Sequence, residues 1–68
     1  MKIFTQRLKQ LRLEKDLCLI ELAEAININQ LTLSRWETGK SIPRTKDFIT
    51  LVKFFGVSAD YLLGRKDD

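Results

Sequence analysis

The sequence predicts an all-α fold of five short helices in one compact domain, residues 1–64, followed by a polar tail, residues 65–68. Three observations carry that expectation. Apolar residues recur at spacings of three and four along the chain and nowhere alternate as a strand would. Asn, Ser and Gly stand at the intervals where helices start and stop. The 68 residues, 44% of them hydrophobic, suffice for one core and one domain.

Each element has its own signal. Phe4, Leu8 and Leu11 mark one face of a first helix over about residues 2–15, which Asp16 and Leu17 break. A second helix runs from about Leu19 to Ile26 and turns Leu22, Ala23 and Ile26 inward. Asn27 follows, a residue that tolerates positive φ better than most. Asn29 is a good N-cap for a third helix with Leu33 and Trp36 inward, and Gly39 ends it. Lys40 to Arg44 is a loop holding the one proline, Pro43. Phe48, Leu51, Val52 and Phe55 fall at i, i+3, i+4 and i+7 of a fourth helix that Gly56 terminates. Ser58 caps a short fifth helix through Leu63. There is no internal repeat or low-complexity segment.

Cys18 to Gly39 is the most informative stretch. Two short amphipathic helices joined by a tight turn make a helix-turn-helix, whose second helix has the diameter to enter the DNA major groove. Ala23 must be small because the two helices cross closely there. Leu22, Ile26, Ile28, Leu33 and Trp36 fix their angle. That leaves Gln30, Leu31, Thr32, Ser34 and Arg35 as the exposed positions of the third helix. Gln pairs with adenine N6/N7 and Arg with guanine O6/N7, while Thr, Ser and Leu touch thymine methyls or phosphates.

Charge follows the same division. The net charge is +3, by itself a weak argument for an anionic partner. Residues 16–29 carry Asp16, Glu21 and Glu24 and no Lys or Arg. Residues 30–46 carry Arg35, Lys40, Arg44 and Lys46 against Glu37 alone. The basic character sits on the third helix and the loop after it, where a phosphate-facing surface is needed. The alternative is an ordinary solvated face.

Other classes find little support. The chain has no His, no glycine-rich phosphate loop and no carboxylate constellation, so an enzyme is not expected. No metal-ligand spacing, cofactor motif or small-molecule site is evident. Cys18, the single cysteine, cannot form an internal disulfide and points to a reducing, cytoplasmic setting. It reads as an inert side chain near a helix start, with a redox sensor as the alternative. No apolar run approaches the roughly 20 residues that span a bilayer, and the first residues lack the apolar block of a signal peptide. The exposed face has no aromatic platform for single-stranded RNA.

Four fragments in order, RLKQLRLEKDL, ELAEAININ, LSRWETGKSIP and FFGVSADYLLG, resemble the phage-repressor/Cro-like helix-turn-helix (XRE) family over about residues 4–64. The resemblance implies a lambda-repressor-like domain and a transcriptional regulator that acts as a repressor. Such a protein binds near-palindromic double-stranded operator DNA as a homodimer with helix 3 in the major groove. It implies base contacts from Gln30, Leu31 and Arg35, with Thr32 and Ser34 alongside. Phosphate contacts fall on Thr38, Lys40, Ser41 and Arg44 in and after helix 3, with Leu19 and Asn29 at the two helix starts. Arg12 and Glu37 match a pair that forms a partly buried ion bridge, as against two independent surface charges. Val57, Ala59 and Tyr61 lie where family members dimerise, as against simple core closure at Tyr61.

The chain makes two departures from the family pattern. Cys18-Leu19 replaces the usual Thr-Gln at the start of helix 2, so only backbone N–H groups there can serve a phosphate. Leu31 puts an apolar side chain at a base-facing position, where it packs on a thymine methyl or relaxes specificity. A second reading keeps the fold as a protein-interaction module. In it Leu19, Ile20 and Leu31 face a protein and DNA affinity is weak or lost; binding to duplexes at low salt separates the two.

Overall fold

The computed structural model describes residues 2–67. Met1 and Asp68, the outer limits of the expected domain and tail, lie outside the described residues. Five helices follow one another: α1 Lys2–Glu14, α2 Leu19–Ala25, α3 Gln30–Thr38, α4 Thr45–Phe55 and α5 Ala59–Leu63. No strand occurs among the described residues. No helix there is long and apolar enough to cross a membrane. The helix limits differ from the sequence expectation by one residue, at the C-terminal ends of α1 and α2, where residues 15 and 26 already belong to the turns.

Those turns share one construction. Each helix is followed by a residue with positive φ: Asp16 (57°), Asn27 (58°), Gly39 (78°), Gly56 (66°) and Gly64 (84°). The N–H of the next residue then returns to the carbonyl five positions back. The bonds are Leu17 to Arg12 (3.2 Å), Ile28 to Ala23 (2.8 Å), Lys40 to Arg35 (2.9 Å), Val57 to Val52 (3.3 Å) and Arg65 to Asp60 (2.8 Å). This is the Schellman closure, which satisfies carbonyls that the helix end would otherwise leave orphaned. Glycine takes the left-handed conformation freely at three of the ends. Asp16 and Asn27 take it at some cost, as the two residue types that best tolerate it.

Each chain reversal returns the next helix to a common core. Phe4, Leu8 and Leu11 of α1 meet Leu22, Ala23 and Ile26, then Leu33 and Trp36 of α3, Leu51 of α4 and Leu62 of α5. α1 packs on both α3 and α5, and α2 packs on α3. Of the amphipathic face read on α4, only Leu51 is fully buried. Phe48, Val52 and Phe55 close the core's edge, with the Phe48 ring centroid 6.1 Å from that of Phe4.

The end of the chain is tied down rather than trailing. The Arg7 guanidinium donates to the carbonyls of Tyr61 and Lys66, lies 4.3 Å from the Tyr61 ring centroid and reaches Asp67 at 3.7 Å. One arginine on α1 thereby fixes both α5 and the residues after it.

Candidate nucleic-acid interface

The face of α3 begins at its cap. Asn29 Oδ1 accepts the Leu31 N–H at 2.8 Å, starting the helix and aiming its first turn outward. The bond uses only the side-chain oxygen, so the Asn29 amide NH2 stays available as a donor. From there Gln30, Leu31, Ser34, Arg35 and Thr38 share one side of the helix, at spacings of one, three and four. Two shallow grooves run along it. One is lined by Leu19, Asn29, Gln30, Leu31 and Ser34, the other by Leu31, Ser34, Arg35, Thr38 and Lys40. Leu31 is the ridge between them and is 60% exposed.

Three expected positions differ in detail. Thr32 and Ser34 are half-buried rather than exposed. Ser34 still lines both grooves; Thr32 lines neither. At 3.6 residues per turn Thr32 sits roughly 130° round from the middle of this face, toward Trp36. The third is Thr38, whose hydroxyl donates to the Ser34 carbonyl at 2.9 Å. Its proton is therefore engaged within the helix, and the oxygen is left to accept.

The loop after α3 supplies cations. Lys40 and Arg44 are exposed and Ser41 is half-buried. The N–H groups of Lys40 and Ser41 both turn back to the Arg35 carbonyl, at 2.9 and 3.4 Å. This leaves side chains, not backbone, to meet an anion here. None of Arg35, Lys40 and Arg44 forms an ion pair among the described residues, unlike Arg7 and Arg12.

Behind α3 lies a buried ion pair. Arg12 Nε donates to Glu37 Oε2 at 2.7 Å and Arg12 Nη2 to Glu37 Oε1 at 3.0 Å, a two-pronged bridge between residues that are both under a tenth exposed. Arg12 Nη1 also donates to the Leu17 carbonyl at 2.8 Å. The Glu37 hydrogen bond, helped by its charge, raises the Arg12 pKa above its ordinary value against the opposing effect of burial. One guanidinium thus joins the end of α1, the turn into α2 and the C-terminal half of α3.

The start of α2 is the weakest part of the face. Leu19 is half-buried and packs against the core while it borders the first groove, so of the pair that the protein-interaction reading turns toward a partner only Ile20, 51% exposed, stands out. Sequence reading overlooked Glu21. Its carboxylate accepts the Cys18 N–H at 2.8 Å, completing a capping box in which Cys18 replaces the usual Ser or Thr. That backbone bond, with a second from the thiol, lowers the Glu21 pKa below its ordinary value. The signal was present as a Glu three residues after the cap. It brings a negative charge to the helix start where a phosphate contact at Leu19 was expected.

The helix-turn-helix family profile matches residues 8–62. This chain belongs to the XRE-type helix-turn-helix family. Curated relatives agree. It is 36% identical over 64 residues to the HTH-type transcriptional activator BcrR of Enterococcus faecalis, covering 94% of this chain and 31% of the relative. It is 35% identical over 66 residues to the uncharacterized HTH-type transcriptional regulator YobD of Bacillus subtilis, covering 97% and 59%. It is 36% identical over 62 residues to the HTH-type transcriptional regulator ImmR of Bacillus subtilis, covering 91% and 49%. The chain therefore spans between about a third and three-fifths of the length of these relatives. No solved structure matches it. The family is one of DNA-binding transcription regulators, not enzymes.

In this XRE-family chain, three further expected positions lie after α4. Val57 and Tyr61, expected at a dimer contact, are half-buried and pack against the core, with Tyr61 under Arg7. Ala59 is the exposed member of the three. The open apolar surface lies beside them, a shallow groove lined by Ile42, Pro43, Thr45, Phe48 and Leu63.

Proposed function

We propose that this chain is a sequence-specific regulator that inserts α3 into the major groove of double-stranded DNA and binds near-palindromic operators as a homodimer. It represses where the operator overlaps a promoter. The observation that supports this best is the face of α3 itself. Gln30, Leu31, Ser34 and Arg35 stand outward on a capped helix, beside Lys40 and Arg44, which form no ion pair among the described residues. Arg35 reads guanine and Gln30 adenine. Lys40, Arg44 and Ser41 hold phosphates, and the Asn29 amide adds a donor at the opposite end of α3. Thr32 flanks the contact, and Thr38 shapes the groove wall. The Arg12–Glu37 pair sets the angle of α3 and keeps the Glu37 carboxylate away from DNA phosphates.

The test is selection of binding sites from a random duplex library, followed by Arg35→Ala and Lys40→Ala at two salt concentrations. Arg35→Ala is expected to cost about 1–3 kcal/mol and to relax preference at one base pair of each half-site. Lys40→Ala is expected to weaken every duplex alike and to flatten the salt slope. No enrichment, with no duplex binding at low salt, sinks this reading and leaves the protein-interaction module.

A further inference from the structure

The DNA-facing surface does not stop at the end of α3. The groove that ends at Thr38 and Lys40 continues into a third one, lined by Lys2, Thr5, Gln6, Thr38 and Gly39. Thr38 is common to both, so α3 and the first turns of α1 form the two banks of one continuous trough.

The new bank has the composition of an anion site. Lys2 and Gln6 stand four apart on α1, so their side chains lie one above the other on the same side of the helix. Both are exposed, and no hydrogen bond or ion pair engages either side chain among the described residues. No carboxylate among the described residues lines the trough. The nearest acidic residue on this side of α1, Glu14, sits two turns further along and accepts a hydrogen bond from Gln10 at 3.1 Å. The floor is fixed by Thr5, whose hydroxyl donates to the Trp36 carbonyl at 3.4 Å. Gly39 leaves it open, since the nearest side-chain atom to a Cβ there would be that same Thr5 oxygen, at 3.8 Å.

DNA geometry supplies the ligand. A helix lying in a major groove about 12 Å wide is flanked by phosphate backbones on both sides. The backbone that passes the C-terminal end of α3 meets first Lys40 and then this trough. We propose that Lys2 and Gln6 carry the interface onto α1 and hold a backbone phosphate beyond the base pairs that α3 reads. Lys2 supplies a point charge and Gln6 an amide N–H; neither reads sequence. This inference rests on the DNA-binding reading above.

The experiment uses the 68-residue chain, a duplex selected by the wild type and an unrelated duplex, across a series of salt concentrations. Lys2→Gln is compared with Lys53→Gln, the same charge change on α4, and with Lys40→Ala. Lys2→Gln is expected to weaken both duplexes by the same factor and to flatten the slope of log K against log salt by about 0.9 per half-site. Lys53→Gln is expected to leave the slope unchanged. Gln6→Glu, which sets a carboxylate against the phosphate, is expected to weaken both duplexes further without altering sequence preference. Both positions are exposed, so melting temperatures stay at the wild-type value. If Lys40→Ala behaves as a phosphate contact while Lys2→Gln matches Lys53→Gln, the trough holds no phosphate and only this inference falls. A shift in sequence preference with Lys2→Gln also overturns it. If the wild type binds no duplex at low salt, the DNA-binding reading falls and takes this one with it.

Discussion

On the proposed reading, two residues decide how well α3 reads DNA, one behind it and one in front. Behind it, Glu37 balances a guanidinium that is almost wholly buried. Glu37→Ala leaves that charge without its partner, a change that costs about 3–5 kcal/mol in buried pairs. Urea unfolding is expected to show a loss of that order. Replacing both partners by apolar residues of similar size, Arg12→Met with Glu37→Leu, is expected to lose much less, because no buried charge remains. A double mutant as unstable as Glu37→Ala would show that the packing of these side chains, not their charge, holds α3. In front, Leu31 is an exposed apolar ridge among polar neighbours. The one apolar group on the major-groove edge of a base pair is the C5-methyl of thymine. Replacing the contacted thymine by deoxyuridine removes only that methyl. It is expected to weaken wild-type binding about fourfold per half-site, the worth of one buried methylene-sized group, and to leave Leu31→Ala unaffected. Equal losses for both proteins would separate Leu31 from that base. The ridge was legible as an apolar residue out of place on a polar face; its position between two grooves was not, since that depends on where Leu19 and Arg35 come to lie.

At the scale of the element, five helices end in the same way, and this explains both what the sequence revealed and what it hid. Gly39, Gly56 and Gly64 stop their helices visibly, because glycine at a helix end has few other readings. Asn27 was legible for the same physical reason. Asp16 reads only as a break, because aspartate has several reasons to follow a helix and left-handed backbone is the least common. Sequence periodicity placed Leu22, Ala23, Leu33 and Trp36 inside the core. It overstated the inward face of α4, since spacing reports direction from the helix axis and not how deep the helix sits. Asn27 carries the turn between α2 and α3, so its backbone strain bears on the angle between them. Asn27→Ala keeps the Ile28-to-Ala23 hydrogen bond but places a side chain with no local compensation in the left-handed region, at a cost of about 1–2 kcal/mol. Asn27→Gly is expected to leave stability within a few tenths of a kcal/mol of wild type, as relief of strain offsets the greater freedom of the unfolded chain. Chemical denaturation of the two variants checks this. If alanine is tolerated as well as glycine, the turn is set by the packing of Ile28 and not by the backbone at Asn27.

At the scale of the whole molecule, the proposed binding of a near-palindromic operator constrains how two copies meet. Recognition helices in successive major grooves lie about 34 Å apart, so each must be about 17 Å from the two-fold axis. The molecule measures 28 × 23 × 19 Å. A separation of 17 Å is smaller than each of these extents, so the proposed arrangement brings the two copies close together. Val57 and Tyr61 are engaged with their own core and with Arg7, which reduces what they offer a partner. The groove beside them offers more. Ile42 is 62% exposed and Leu63 37%, with Ile3 at 46% close to Gly64 on the same side. On the proposed homodimeric reading, Ile42 and Leu63 are the exposed apolar side chains of this groove that a second copy can cover. The family resemblance pointed to Val57, Ala59 and Tyr61 because family members dimerise there; it did not show that Arg7 covers Tyr61, a contact between residues 54 positions apart. Ile42→Asp puts a carboxylate at the centre of this surface without disturbing the core. It is expected to leave the melting temperature of the isolated chain at the wild-type value, to reduce affinity for a palindromic operator at least tenfold, and to leave affinity for a single half-site unchanged. Gel-shift titration on the two duplexes reads the difference directly. Equal affinity of the variant and the wild type for the palindrome would move the two-fold axis elsewhere on the molecule.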